Sequence, residues 1–163
     1  MKDNPLVLII GTGSIGERHL RCLQKTGRCR LSFCEPLEER RCDVAERYGI
    51  EEALSFSSLE DALASEEEIT AAVVAVPAPF HIPMGMQLAE RAIHILMEKP
   101  LSLSLDGVEK FRSFTEEKGI IVAVGYTHRA HPGVIGLRER YESGIFGRAI
   151  EMRVDVGQPF AKI

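Results

Sequence analysis

The chain has 163 residues, 45% of them hydrophobic, with 20 basic against 24 acidic side chains and a net charge of −4. That length holds one domain, or one and a fragment, with enough apolar residues for a core. The negative balance gives no reason to expect nucleic acid, and the apolar runs are too short to span a bilayer or to make a secretory signal behind Lys2-Asp3-Asn4-Pro5.

Leu6-Val7-Leu8-Ile9-Ile10 predicts a first strand that runs straight into the turn Gly11-Thr12-Gly13-Ser14-Ile15-Gly16. A helix is predicted from Ser14 to Lys25. Arg18, Arg21 and Lys25, with Arg28 and Arg30 just beyond, read as its wetted face rather than a binding stripe. Leu31 to Cys34 is the second strand, ended by Glu35, 19 residues past Gly16. Leu37, Arg41, Val44, Ala45 and Tyr48 mark one helical face, stopped at Gly49. Ala53 to Phe56 reads as a weak third strand and Ser58 to Ala64 as a short helix. The continuous apolar run Thr70 to Val76 suits a parallel strand covered on both faces. Ile82, Met86, Ala89 and Ile93 mark the next helix, Ile93 to Met97 leads into a fifth strand, and Leu105, Val108, Phe111 and Thr115 line a helix ending at Gly119. Ile120 to Val124 is the sixth strand. A helix with Val134, Leu137 and Tyr141 on one face then ends around Gly144 and Gly147. Beyond it, Ile150, Met152, Val154 and Val156 alternate with charged residues, the period of a half-buried strand in an open antiparallel sheet.

Six strands alternating with helices predict an α/β fold, a doubly wound parallel sheet of the Rossmann type with helices on both faces. Strand, glycine turn, amphipathic helix, strand and acid together form a dinucleotide-binding fingerprint. Gly11 turns the chain off the strand, Gly13 lets a pyrophosphate approach the backbone, and Gly16 lets the helix pack close to the sheet. The helix start at Ser14 and Ile15 points free N–H groups at the diphosphate. Glu35 accepts from an adenosine ribose and repels a 2′-phosphate, which favours NAD over NADP; Arg40 and Arg41 leave NADP open, since a guanidinium there can take a phosphate. Cys22, Cys29, Cys34 and Cys42 form neither a CxxC pair nor a zinc spacing, so no metal site is expected and the thiols read as reduced, in a cytoplasmic protein.

A doubly wound sheet binds its ligand at the carboxyl ends of its strands. Those ends carry Pro77-Ala78-Pro79-Phe80-His81, Glu98-Lys99-Pro100 and Gly125-Tyr126-Thr127-His128-Arg129. This ordered set, with the glycine turn before it and Leu101-Ser102-Leu103-Ser104 after the proline, resembles the Gfo/Idh/MocA oxidoreductases over essentially the whole chain. The resemblance implies that Lys99 faces the nicotinamide ribose and the substrate, that Glu98 and Pro100 beside it also bind the cofactor, and that Pro100 follows a cis peptide bond. It implies that Pro77 and His81 bracket the nicotinamide side and that Arg129 is a recurrent basic residue, although Ala130 stands where an aromatic is usual. Residues 13–19, Gly-Ser-Ile-Gly-Glu-Arg-His, are most similar to members acting on sugars or nucleotide sugars.

Hydride transfer between a secondary alcohol and a nicotinamide needs a group that takes or gives the hydroxyl proton, and Lys99 is suited to it. The plainer reading of Lys99 is a surface ion pair with Glu98. His81 reads equally as a polar helix start, and His128 and His131 as structural or solvated. The resemblance divides the chain into a dinucleotide-binding domain, 1–125, and a linker helix with the start of an incomplete antiparallel α+β substrate domain, 126–163. Relatives of this kind continue with a substrate domain that supplies an acid, a histidine and most of an oligomer interface. The chain therefore reads as the NAD(P)-binding half of an oxidoreductase acting on a small-molecule substrate. The other readings are a dinucleotide-binding module without chemistry, and a subunit completed by another chain, through homo-oligomers or strand pairing at 149–157.

Overall fold

Alternate side chains of the central strands feed two separate cores, and this two-sided burial organises the first part of the molecule. The computed structural model describes residues 4–155 and Gly157. Chain contacts divide it into two units, 1–125 and 126–163.

In the first unit the strands are β1 (Leu6–Ile10), β2 (Arg30–Cys34), β3 (Ser55–Phe56), β4 (Ile69–Val74), β5 (His94–Met97) and β6 (Val122–Val124). The helices are α1 (Ser14–Thr26), α2 (Glu38–Tyr48), α3 (Leu59–Ala64), α4 (His81–Glu90) and α5 (Val108–Glu117). All strand pairs are parallel, in the order β3-β2-β1-β4-β5-β6. Leu8, Ile10, Ala72, Val74, Ile95 and Met97 point to one face and bury against Leu59, Leu88 and Phe111. Ile9, Phe33 and Val73 point to the other and bury against Leu20 and Val44. The order reverses between β1 and β4, so the loops leaving those two strands part and open a crevice at their carboxyl ends.

The six-strand doubly wound sheet agrees with the sequence expectation, and the differences fall at element ends. The third strand shrinks to two residues behind a 3-10 turn at Glu52–Leu54. The fourth stops at Val74: the Ala75 N–H still bonds Ile10 O, but the chain then leaves the sheet. Ile93 is buried after α4 rather than on it, because the chain turns at Ala92 in a left-handed conformation (φ 57°). Leu105 is not on α5 at all; the helix starts after Gly107 (φ 73°), which leaves Leu105 89% exposed.

The second unit holds a 3-10 turn, Thr127–Ala130, and α6 (Pro132–Glu142), which has no buried residue. Its apolar stripe, Val134, Leu137 and Tyr141, is exposed. Ile150 to Asp155 form no strand, contrary to the alternating pattern, and Val156 lies outside the described residues. Alternation only fits a strand to a pleat; a ladder also needs a second strand to bond with, and no strand is present in this unit's described residues.

Candidate functional site

The glycine turn after β1 is built by sterics. Gly11 has φ +84°, and a Cβ on it would lie 2.9 Å from Ala75 O. A Cβ on Gly16 would lie 1.8 Å from Gly11 O, so α1 can approach the turn only with glycine there. Gly13 differs: a Cβ on it would meet nothing within 4 Å. It caps α1 without any side-chain acceptor, so the first-turn N–H groups, with exposed Ser14 and Ile15 beside them, face open space. An uncapped helix start over a bare backbone is the cradle a diphosphate fits.

Glu35 closes the turn from the end of β2. It is buried (4% exposed), and its Oε2 accepts from Thr12 Oγ1 at 2.6 Å and from Thr12 N at 3.3 Å, while Oε1 accepts from Leu37 N at 3.1 Å. Burial pushes the carboxyl up, but these three hydrogen bonds and the nearby Arg40 charge outweigh it and hold Glu35 below the usual glutamate range. Arg41 Nη1 donates to Glu35 O at 2.8 Å, so its guanidinium is tied to backbone. Arg40 is exposed on α2.

Beside the turn lies a mainly apolar cleft of about 320 Å³, lined by Gly11, Cys34, Pro36, Ser58, Val76, Pro77, Phe80 and Met84. It occupies the crevice where the sheet order reverses, and its apolar lining suits an apolar ring. Cys34 is inert there: burial pushes its thiol up to about 12, and Sγ donates to Ser58 O.

At the ends of β4 and β5 the histidine and lysine motifs meet. His81 is 1% exposed, with Nδ1 2.8 Å from Pro100 O and Nε2 2.8 Å from Val76 O. Its buried ring therefore sits between two loops, with a backbone carbonyl against each nitrogen. The Lys99–Pro100 peptide is cis. Lys99 itself is exposed, and its Nζ pairs with no acid among the described residues. The alternative of an ion pair with Glu98 does not form: Glu98 Oε1 accepts from His19 Nε2 at 2.7 Å and Oε2 from Lys99 N at 3.2 Å. Pro77 lines the apolar cleft. Arg129, exposed, belongs to the second unit.

Thr12, His19, Ser58, Phe80 and Met84 were not singled out from sequence. Thr12 lay inside the glycine turn, and its hydroxyl faced the expected acid. His19 sits four residues after Ile15 on α1, one turn along the same face. For the cleft residues no local pattern exists: Ser58 caps α3, Phe80 ends the 3-10 turn before α4, and Met84 lies on α4.

No group of three or more His, Cys, Asp or Glu able to hold a metal occurs among the described residues. A parallel sheet with a glycine turn, an uncapped helix start, an acid on the neighbouring strand end and an apolar cleft at the switch point define a dinucleotide-binding α/β domain. The chain belongs to the Gfo/Idh/MocA oxidoreductase family: the family model described as an oxidoreductase family with an NAD-binding Rossmann fold matches residues 6–126.

Among its relatives is an inositol 2-dehydrogenase of Rubrobacter xylanophilus, 32% identical over 148 residues, covering 89% of this chain and 42% of that protein. A scyllo-inositol 2-dehydrogenase (NAD(+)) of Bacillus subtilis is 30% identical over 146 residues, covering 87% of this chain and 41% of its own length. The crystal structure of scyllo-inositol dehydrogenase from Lactobacillus casei with bound NAD(H) and scyllo-inositol matches with a TM-score of 0.82 at 18% identity, covering 89% of this chain and 43% of that one. That last likeness is one of fold. The chain thus spans about two fifths of the length of the curated relatives it matches. No helix among the described residues is long and apolar enough to cross a membrane.

Proposed function

We propose that this chain is the cofactor-binding half of a cytoplasmic oxidoreductase that moves a hydride between NAD(H) and a secondary alcohol of a sugar or polyol. The observation that carries the reading is the open space over Gly13 at the uncapped start of α1, with the acid of β2 tied into the same turn and Lys99 exposed at the end of β5. In this reading the α1 N–H groups hold the diphosphate and the apolar cleft takes the adenine. Glu35 has three of about four acceptor positions filled by Thr12 and Leu37, which leaves one for a ribose hydroxyl. Its negative charge disfavours a 2′-phosphate, so NAD is preferred to NADP. The nicotinamide, when bound, supplies or takes the hydride at the substrate carbon. Lys99 gives a proton to the carbonyl oxygen on reduction and takes it back on oxidation, which balances the transfer. The domain assignment carries the same proposal: residues 1–125 hold the dinucleotide, and 126–163 begin the part that holds the substrate.

Calorimetric titration with NADH and NADPH tests it. Saturable NADH binding, tighter than NADPH and lost in Gly13→Val, is the expected result. No binding of either at millimolar concentration refutes it. A subunit completed in trans is the second reading, favoured by the exposure of Ile150, Met152 and Val154 (93%, 67% and 71%). It requires concentration-dependent association in sedimentation velocity, abolished by Met152→Lys.

A further inference from the structure

The carboxylate of Glu98 joins three parts of the cofactor site that the sequence keeps far apart. Its side chain is only 13% exposed, and its two oxygens have different partners: Oε1 takes His19 Nε2 from α1, 79 residues away, and Oε2 takes the backbone N–H of Lys99. The end of β6 makes room for it. A Cβ on Gly125 would lie 3.0 Å from Oε1 and 3.1 Å from the carboxyl carbon. The backbone on either side is pinned as well, with Glu98 N bonded to Val74 O, Gly125 N to Met97 O at 2.7 Å, and Pro100 O to the His81 ring. So the main chain of residues 98–100 is held from both directions while the Lys99 side chain stays exposed and unpaired by Glu98.

We propose that Glu98 and His19 form a positioning pair that sets Lys99 in register with the dinucleotide helix, and that neither touches the cofactor. This rests on the cofactor reading above and replaces a cofactor contact for Glu98 with an indirect role. A carboxylate next to a lysine in sequence is its nearest available counter-ion. Here the imidazole of His19 and the Lys99 amide hold that carboxylate, and the ammonium is left to meet a ligand instead. Because His19 lies on the helix whose start faces the diphosphate, the anion-binding end and the lysine are parts of one hydrogen-bonded frame.

The consequence is a split between the two ends of the dinucleotide. Binding is measured for NADH and for ADP, which keeps the adenosine and the diphosphate but lacks the nicotinamide and its ribose, on the full chain. His19→Ala and Glu98→Ala are each expected to weaken NADH about tenfold, the scale of one lost charge-assisted hydrogen bond, with ADP within about twofold. Their effects in the double variant should be far from additive. His19→Gln, which keeps an N–H donor, should recover most of the loss. Gly125→Ala removes no polar group yet crowds the carboxylate, so it should reproduce the NADH-specific loss in a folded protein. Acetylation of Lys99 by an N-hydroxysuccinimide ester, followed by mass spectrometry, gives a readout independent of affinity: NADH should protect Lys99 in the unaltered chain and fail to do so in His19→Ala at saturation. Equal weakening of NADH and ADP, or no change in either, overturns the positioning role while leaving the cofactor reading intact. Failure of the unaltered chain to bind either ligand overturns the cofactor reading and this inference with it.

Discussion

The glycine turn after β1 and the Glu98-Lys99-Pro100 turn after β5 lie at the same end of one sheet, yet they are held by opposite means. The first is held by close backbone approach: a Cβ on Gly16 would meet Gly11 O five residues back and one on Gly11 would meet Ala75 O past the end of β4, so only glycine leaves the space. The second owes its form to distant groups, His19 on α1, His81 on α4 and Gly125 after β6. A phosphate cradle works by backbone N–H groups at close range, so backbone sterics around the turn can build it. On the proposed reading Lys99 handles a proton, and such a side chain must be aimed from outside its own segment, by long-range hydrogen bonds.

That contrast can be broken experimentally, most severely at Gly16. Gly16→Ala places a methyl 1.8 Å from a carbonyl oxygen that cannot swing away. A loss of about 3 kcal/mol or more in denaturant unfolding is expected, with NADH binding abolished. Gly11→Ala should cost somewhat less, about 2 kcal/mol, from positive φ and a 2.9 Å contact with Ala75 O. At the other turn, Gly125→Ala should leave unfolding within about 1 kcal/mol of the original, since the 3.0 Å contact is with a carboxylate able to shift.

A smaller effect is expected in the pH dependence. Hydrogen bonds from Thr12 and Leu37 hold Glu35 below its ordinary range against the opposing effect of burial. A depressed folded value means stability fully present above the unfolded value of about 4.3 and lost as pH falls through the folded one. Glu35→Gln should therefore flatten the acid limb of a stability–pH curve below about pH 4.3 and leave its slope at neutral pH unchanged. Lys99→Met should move stability least, within about 0.5 kcal/mol, because the side chain is exposed and makes no ion pair with Glu98. It should nevertheless eliminate turnover when substrate-domain residues are supplied in a full-length relative's context. Thiol labelling sharpens the picture of the cleft: exposed Cys22 and Cys42 should react with iodoacetamide at pH 8, and Cys34, with its thiol pushed up to about 12, only after unfolding.

Much of the fold was legible from period and punctuation. The apolar strands β1, β2, β4 and β5 and the left-handed glycine stops at Gly49 and Gly119 were placed within a few residues, because burial on both faces leaves no polar positions to confuse the pattern. Leu105 misled because it continues the spacing of α5 beyond the residue that starts the helix. Ile150 to Asp155 misled because alternation describes one strand's faces and says nothing of a partner. His81 was ambiguous for the same kind of reason: a buried ring with two carbonyl partners and a free polar helix start have the same sequence.

The sequence by itself determined the doubly wound class and the glycine cradle, since both follow from local sterics and from which residues avoid water. Only the tertiary structure decided the partners of the charged and polar groups: that Glu35 binds Thr12, that Glu98 turns to His19 instead of Lys99, and that His81 faces two carbonyls. Hydrogen bonds depend on distance and direction between segments as much as 79 residues apart, and neither quantity is written in a local pattern.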